Sequence, residues 1–163
     1  MIELRQATEV DFSQIWLIFH EIITVGATYA IERDTDEVGA KYIWMETPQE
    51  TWVAVEGDEI LGTYYIKPNK AGGGAHVCNC GYMVKGSAQG RGIASSMCEQ
   101  SQVRAVELGF RAMQFNFVLA SNTKAIGLWL KFGFEQVGRL PEAFEHPTEG
   151  FVDALIMFKN LTY

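Results

Sequence analysis

The sequence predicts one mixed α/β domain over residues 1–163, with about seven strands and about four helices. In some segments apolar and polar residues alternate, while in others apolar residues recur at helical spacing, and the two kinds follow one another along the chain. A glycine-rich turn, Gln89-Gly90-Arg91-Gly92-Ile93-Ala94, joins a strand-like run to a long helical one. No internal repeat or linker-like stretch divides the chain.

The first strand is Ile2 to Ala7, by its alternation. Thr8 can cap a helix that carries Phe12, Ile15, Trp16, Phe19, Ile22 and Ile23, and Gly26 ends it. Thr28-Tyr29 opens a connecting loop. Asp34-Thr35-Asp36-Glu37 is the acidic start of a second helix, with Val38, Tyr42 and Ile43, reaching about Glu46. Thr51 to Glu56 and Ile60 to Ile66 flank Gly57-Asp58-Glu59 as a hairpin. Pro68 to Gly74 is a flexible loop, and the strand His76 to Val84 follows. After the glycine-rich turn come a helix, Ser95 to Leu108, and a strand, Arg111 to Leu119. Asn122 caps a helix running to about Phe132, which Gly133 ends. Phe134 to Leu140 and Phe151 to Lys159 close the sheet, separated by a loop containing Pro141 and Pro147.

The apolar fraction of 48% and charged fraction of 20% belong to an ordinary globule rather than a disordered chain. A net charge of −7 argues against a nucleic-acid partner, which requires a basic field. It leaves room for a small phosphorylated ligand, because backbone N–H groups bind phosphate whatever the net charge. Cys78, Cys80 and Cys98 fit a reducing compartment. Cys78-Asn79-Cys80 is one residue short of C-x-x-C and has no second pair, so no metal is expected. The N-terminus shows no basic segment before an apolar run, and no stretch reaches the roughly 18 apolar residues of a membrane span. The expectation is a cytoplasmic protein with no membrane partner.

Glycines at a strand-to-helix turn take positive φ and let a ligand approach the backbone. The unpaired N–H groups of the helix's first turn then point at that ligand, and the helix dipole favours an anion. A second segment belongs with this cradle: Asn122-Thr123-Lys124-Ala125-Ile126-Gly127-Leu128-Trp129-Leu130-Lys131-Phe132-Gly133-Phe134. Here the chain resembles the GNAT superfamily of N-acetyltransferases. Gln89, Gly92 and Ala94 match its acyl-CoA loop, Q/R-x-x-G-x-G/A, and the later segment matches N-x-x-A-x-x-L-[Y/W]-x-x-x-G-F. The order of elements matches as well, over essentially the whole chain. Within the superfamily, Gln114 to Phe134 and Arg139 through Asp153 to Phe158 look closest to small-molecule acetyltransferases of the phosphinothricin and proline-analogue type.

The resemblance implies a mostly antiparallel sheet splayed at its centre to admit acetyl-CoA as co-substrate, and a small-molecule amine as acceptor. A protein or peptide acetyltransferase, or a non-catalytic acyl-CoA sensor, is the alternative. A homodimer is the superfamily's common habit. Backbone groups of Met83 and Val84 are expected to pair with the pantetheine arm. Those across Gln89, Gly90, Arg91, Gly92, Ile93, Ala94 and Ser95 are expected to hold the pyrophosphate. Arg91 reads as a phosphate contact or as a solvated loop charge. Asn122 caps its helix and faces the pantetheine amide. Lys124 and Lys131 read as phosphate contacts or as ordinary exposed helix lysines.

The oxyanion donor is expected to be a backbone N–H late in the His76–Val84 strand. Trp129 stands where many relatives carry a tyrosine; an indole donates a hydrogen bond but has no proton to give near neutral pH. The strand matching His76–Val84 lacks the glutamate that relatives often carry. Asn79 and Asn116 are expected to hold a water or orient the acceptor. Asp153, in an apolar strand, is the carboxylate candidate for a base with a raised pKa, or else a structural hydrogen-bond acceptor. His76 reads as a base or an exposed structural residue. Tyr29, His146 and Glu145 are placed in loops that reach the acceptor pocket.

Overall fold

Strand alternation and helix periodicity resolve, in the computed structural model, which describes residues 1–162, into a sheet covered on both faces. Its strands are β1 (Glu3–Gln6), β2 (Glu50–Glu56), β3 (Glu59–Pro68), β4 (Val77–Val84), β5 (Ala112–Leu119), β6 (Glu135–His146) and β7 (Gly150–Asn160). They lie in the order β1-β2-β3-β4-β5-β7-β6. Every neighbouring pair is antiparallel except β4 and β5. This is the mixed, mostly antiparallel seven-stranded sheet that the sequence predicts.

The apolar stripe of α1 (Phe12–Val25) buries Ile15, Ile18, Phe19 and Ile23. These residues pack with Trp44, Val53 and Met83, as α2 (Glu37–Lys41) and the π-helical turn Tyr42–Glu46 complete that side. On the other side, α3 (Ile93–Glu107) and α4 (Thr123–Lys131) bury Cys98, Ala105 and Trp129 against Ile66, Cys78, Cys80, Met113, Phe115 and Met157. Odd-numbered Met83 and even-numbered Cys78 and Cys80 thus face opposite ways from β4, as the period of two requires.

Two local devices fix the loops that flank the site. Arg5 donates from Nη1 and Nη2 to Oδ2 and Oδ1 of Asp11 at 2.8 and 2.9 Å, and Thr8 N donates to the same carboxylate at 2.7 Å. α1 therefore starts at Phe12, after a 3-10 turn over Glu9–Asp11, rather than directly after Thr8. At its other end the left-handed Gly26 (φ 69°) stops α1, and Arg33 caps Thr24 O through Nε and Nη2 at 3.0 and 2.7 Å. That cap ties the loop carrying Tyr29 to the helix.

One region departs from expectation. β6 continues through Pro141 to His146 and meets β7 across a short turn, so the long loop read from Pro141 and Pro147 is mostly strand. Proline is tolerated there because β6 is the outermost strand and the register slips between Leu140 and Phe144.

The Arg5 guanidinium beside Asp11, together with the Thr8 donors, holds that carboxyl down at about 2. A lowered folded pKa gives stabilisation that is complete above the unfolded value and is lost as pH falls towards the folded one. Asp11→Ala is therefore expected to cost about 1–3 kcal/mol at pH 7 in urea unfolding. The gap to the parent should narrow as pH drops from about 5 towards 2.

Candidate functional site

β4 and β5 bond to each other only at Val77↔Ala112 and Cys78↔Met113. At the next residue the Asn79 side chain takes over, its Nδ2 donating to Gln114 O at 3.0 Å. Beyond that point the strands diverge, and one edge of β4 is open. In an antiparallel ladder successive residues turn their backbone groups to alternate edges. Tyr82 faces the open edge: its carbonyl accepts from the Tyr29 hydroxyl at 2.5 Å, and its N–H donates to that hydroxyl at 2.9 Å. Val84 faces the same way, its carbonyl accepting from Gln89 Nε2 at 3.3 Å. Met83 lies between them, so its backbone groups belong to the β3 ladder. The pairing expected of Met83 does not fit this geometry: the backbone groups turned to the open edge are those of Tyr82 and Val84.

A cavity of about 620 Å³ fills the gap between the strands. From the point of divergence outwards it is lined by Lys67 and Asn79, then by Phe115, Leu128 and Trp129, and at the mouth by Gln89, Ala94 and Asn122. At that mouth α3 begins. Gly90 and Gly92 have φ of 78° and 77°, and a Cβ on either would meet nothing within 4 Å. No side chain caps α3, and its first bond runs from Ser96 N to Gly92 O at 3.0 Å. The N–H groups of Ile93, Ala94 and Ser95 are thus the free first-turn donors. The Ile93 side chain is buried in the core, so only its backbone is presented. An anion such as a pyrophosphate fits this cradle.

The charged side chains around the cradle divide otherwise than the sequence suggests. Arg91 Nη2 is spent on Glu56, at 2.9 and 3.0 Å from the two carboxylate oxygens, which anchors the loop to the β2–β3 hairpin. Lys131 lies exposed in the last turn of α4 and does not line the cavity, whereas Lys124, in the first turn, does. Asn122 acts as expected at the helix start: Oδ1 accepts from Ala125 N at 3.3 Å, and the residue lines the cavity.

Where β4 and β5 part, a row of polar side chains crosses three strands. The Tyr65 hydroxyl donates to Asn79 Oδ1 at 3.0 Å. Gln114 Nε2 donates to Asn116 Oδ1 at 3.0 Å, and Asn116 Nδ2 donates to Asn69 Oδ1 at 2.6 Å. Tyr65 reaches Asn79 because Gly81 leaves room; a Cβ there would sit 2.6 Å from the Tyr65 ring. Tyr65, Lys67 and Tyr82 also line the cavity, and sequence motifs did not single them out. The signal for the first two was strand alternation, which puts Tyr65 and Lys67 on the Asn79 face of the sheet.

Asp153 is not a base in the cleft. Its carboxylate pairs with Arg139 Nε and accepts from Glu142 N at 2.8 Å, and neither cavity is lined by it. Those two donors push its pKa down, opposite to the expected rise. His76 is exposed just before β4. Glu145 and His146 line a second cavity of about 440 Å³ between the α1–α2 loop and the β6–β7 hairpin. His146 Nδ1 accepts from Thr148 N and Glu149 N, both at 3.2 Å, so its proton sits on Nε2. Tyr29 and Ala30 line both cavities and form the wall between them.

No Asp, Glu or His lines the larger cavity among the described residues. Burial pushes the Tyr29, Tyr65 and Tyr82 phenols up, so all three stay protonated. Burial does the same to the Cys80 thiol, which makes it a poor nucleophile. Trp129 is wedged against Phe115 and Tyr82, with ring centroids 4.7 and 5.1 Å away. No group of His, Cys, Asp and Glu suited to a metal occurs among the described residues. No helix there is long and apolar enough to cross a membrane.

Comparison with known proteins gives this geometry a context. The model of the acetyltransferase (GNAT) family matches residues 13–134. The N-acetyltransferase aca1 of Schizosaccharomyces pombe is 38% identical over 98 residues, 60% of this chain. The chain spans about half the length of that relative, 47%. A GCN5-related N-acetyltransferase structure from Kribbella flavida superposes with a TM-score of 0.93 at 39% identity, covering 98% of this chain and 97% of that one. A phosphinothricin acetyltransferase from Sinorhizobium meliloti in complex with AcCoA shares the fold, with a TM-score of 0.85 at 20% identity over 98% of this chain and 88% of that one.

Two substitutions test the cofactor end. Gly92→Asp keeps a residue type that tolerates left-handed backbone and is favourable at a helix start, so the melting temperature is expected to move by only a few degrees. Its carboxylate competes for the same N–H groups, and acetyl-CoA binding measured by calorimetry should vanish. Tyr29→Phe removes both bonds to Tyr82, at a cost of about 1 kcal/mol or roughly 2–4 °C of melting temperature. Acetyl-CoA affinity should then rise several-fold, because the arm no longer displaces a hydroxyl; a fall would show that the hydroxyl holds the arm instead.

Proposed function

This chain belongs to the acetyltransferase (GNAT) family, and on that premise we propose that it transfers an acetyl group from acetyl-CoA directly to the amine of a small molecule, an amino acid or an analogue. The observation that carries the reading is the continuous path from the free N–H groups of α3, along the open edge of β4, to the polar row at Asn79. The open edge of β4 is committed to the cofactor arm. The facing edge of β5 is open as well, but the acceptor end at Asn79 is lined by a cluster of side chains, Tyr65, Lys67 and Asn116 among them. That favours a small acceptor over a protein one.

Acetyl-CoA supplies the activated acyl group as a thioester. The chain's own residues do the rest. Ile93, Ala94 and Ser95 hold the pyrophosphate through backbone N–H groups, with Lys124 beside the mouth. Asn122, its Oδ1 spent on the helix, offers Nδ2 to a pantetheine carbonyl. Val84 and Tyr82 bond the arm along β4, and the Tyr82 N–H, once released by Tyr29, is the donor placed to stabilise an oxyanion. The amides of Asn79 and Asn116 orient the amine and a water. Trp129 packs against the arm and gives no proton, so the thiolate, whose parent thiol is moderately acidic, leaves as the anion. Cys80 stays protonated, which supports direct transfer over an acyl-cysteine intermediate.

With no carboxylate or imidazole lining the cleft, the amine must arrive neutral and lose its proton to water. Thiol release from acetyl-CoA, screened over amino acids, polyamines and N-terminal peptides, is expected to respond to small amines. For a responding amine, kcat/KM should rise with pH along that amine's own neutral fraction, with no second limb near pH 4–7 from a protein base. Turnover on peptides alone would move the acceptor to the protein class. Tight CoA binding without turnover on any amine would make the chain an acyl-CoA sensor.

A further inference from the structure

Lys67 stands in β3 directly across from Asn79, on the same face as Tyr65, and lines the cavity where β4 and β5 part. Its ammonium lies 5.2 Å from the Tyr65 ring centroid, and it makes no ion pair among the described residues. The chain carries 20 acidic against 13 basic residues, yet the residues lining this cavity include two lysines and no acid. The two lysines serve different ends. Lys124 sits at the mouth beside the phosphate cradle. Lys67 sits beside Asn79, and the five residue steps along β4 from Asn79 to Val84 put roughly 16 Å between it and that mouth. A cofactor phosphate held by α3 therefore does not reach it.

We propose that Lys67 reads a carboxylate on the acceptor, so that the preferred substrate is an amine bearing an acid group, an amino acid rather than a polyamine. The assignment rests on the acetyl-transfer reading above and specifies which group of the acceptor is recognised. An unpaired ammonium, half-buried against an aromatic ring and flanked by neutral amides, attracts an anion and repels a second cation. Asn79 and Asn116 are left to place the amine towards the Tyr82 edge while Lys67 holds the acid. Lys67 is thus a specificity residue, and its removal should act on acceptor binding rather than on the transfer step.

The test uses the full chain at saturating acetyl-CoA with matched acceptors: L-amino acids, their primary amides, and spermidine. The parent should prefer the acids. Lys67→Met should raise the KM for acids on the order of tenfold or more, while the amides and the KM for acetyl-CoA stay within about twofold. Lys67→Arg should retain most of the preference. A parent that prefers amides or spermidine, or a variant that loses acids and amides equally, overturns the assignment. Should no amine release thiol, the transfer reading falls, and calorimetric titration of amino acids into CoA-saturated protein decides Lys67 separately. Binding by the parent that the Met variant loses supports it; equal binding by both, or none by either, overturns it.

Discussion

A strand that leaves its neighbour inside a folded domain carries N–H and C=O groups that need partners, and β4 parts from β5 after Cys78. Three side chains meet that demand. Asn79 bridges to Gln114 O where the ladder stops, the Tyr29 hydroxyl serves both backbone groups of Tyr82, and Gln89 reaches back to Val84 O. Each comes from a different part of the site: the strand itself, the α1–α2 loop, and the turn before α3. The break in the sheet thus gathers the polar row at Asn79, the open edge of β4 and the anion cradle of α3 around one line. It also explains why α1 needs its cap by Arg33, since a loop that moved would take Tyr29 off the edge.

The strands can part because neither depends on the other for its remaining bonds. β4 keeps a full ladder with β3 down to Val84, and β5 keeps its ladder with β7 apart from an irregularity between Phe115 and Val118. The wedge between them is apolar, with Trp129 against Phe115 and Tyr82, and Phe115 stacked on Phe134 at 4.5 Å. Those rings hold α4 at the split and keep Asn122 and Lys124 at its mouth. Trp129 therefore has a clear structural reason to be large and flat, independent of any part in protonation.

Legibility in the sequence followed the range of the interactions. Gln89 to Ser95 and Asn122 act through local backbone geometry, a positive φ and a helix start, and both are visible in a few consecutive residues. Asp153 stays open in the sequence between a base and a structural acceptor because its chain neighbours are apolar, while the partners that decide for the second, Arg139 and the Glu142 N–H, come from the neighbouring strand. Arg91 was open between two readings for the same reason: Glu56 is 35 residues away and only the fold brings it near. Pro141 looked like a loop because a proline disqualifies an inner strand but not an outer one, and strand order is a property of the whole sheet.

The two ends of the cleft are built from different materials, and this bears on how the acceptor is chosen. On the reading proposed above, the cofactor end is backbone: N–H groups of α3 and the edge of β4, which few side-chain changes can alter without disturbing the fold. The acceptor end is side chains on adjacent strands, Tyr65 and Lys67 on β3, Asn79 on β4, Gln114 and Asn116 on β5, joined by hydrogen bonds but standing on a frame that does not need their chemistry. An acidic residue at position 79 would add a base and reverse the local charge at once, since it would pair with Lys67 across the ladder. The asparagine there leaves Lys67 uncompensated. With asparagine there, no carboxylate is placed at the split to act as a base and no acid faces Lys67 across the ladder, and the proposed reading of an anionic acceptor rests on that arrangement.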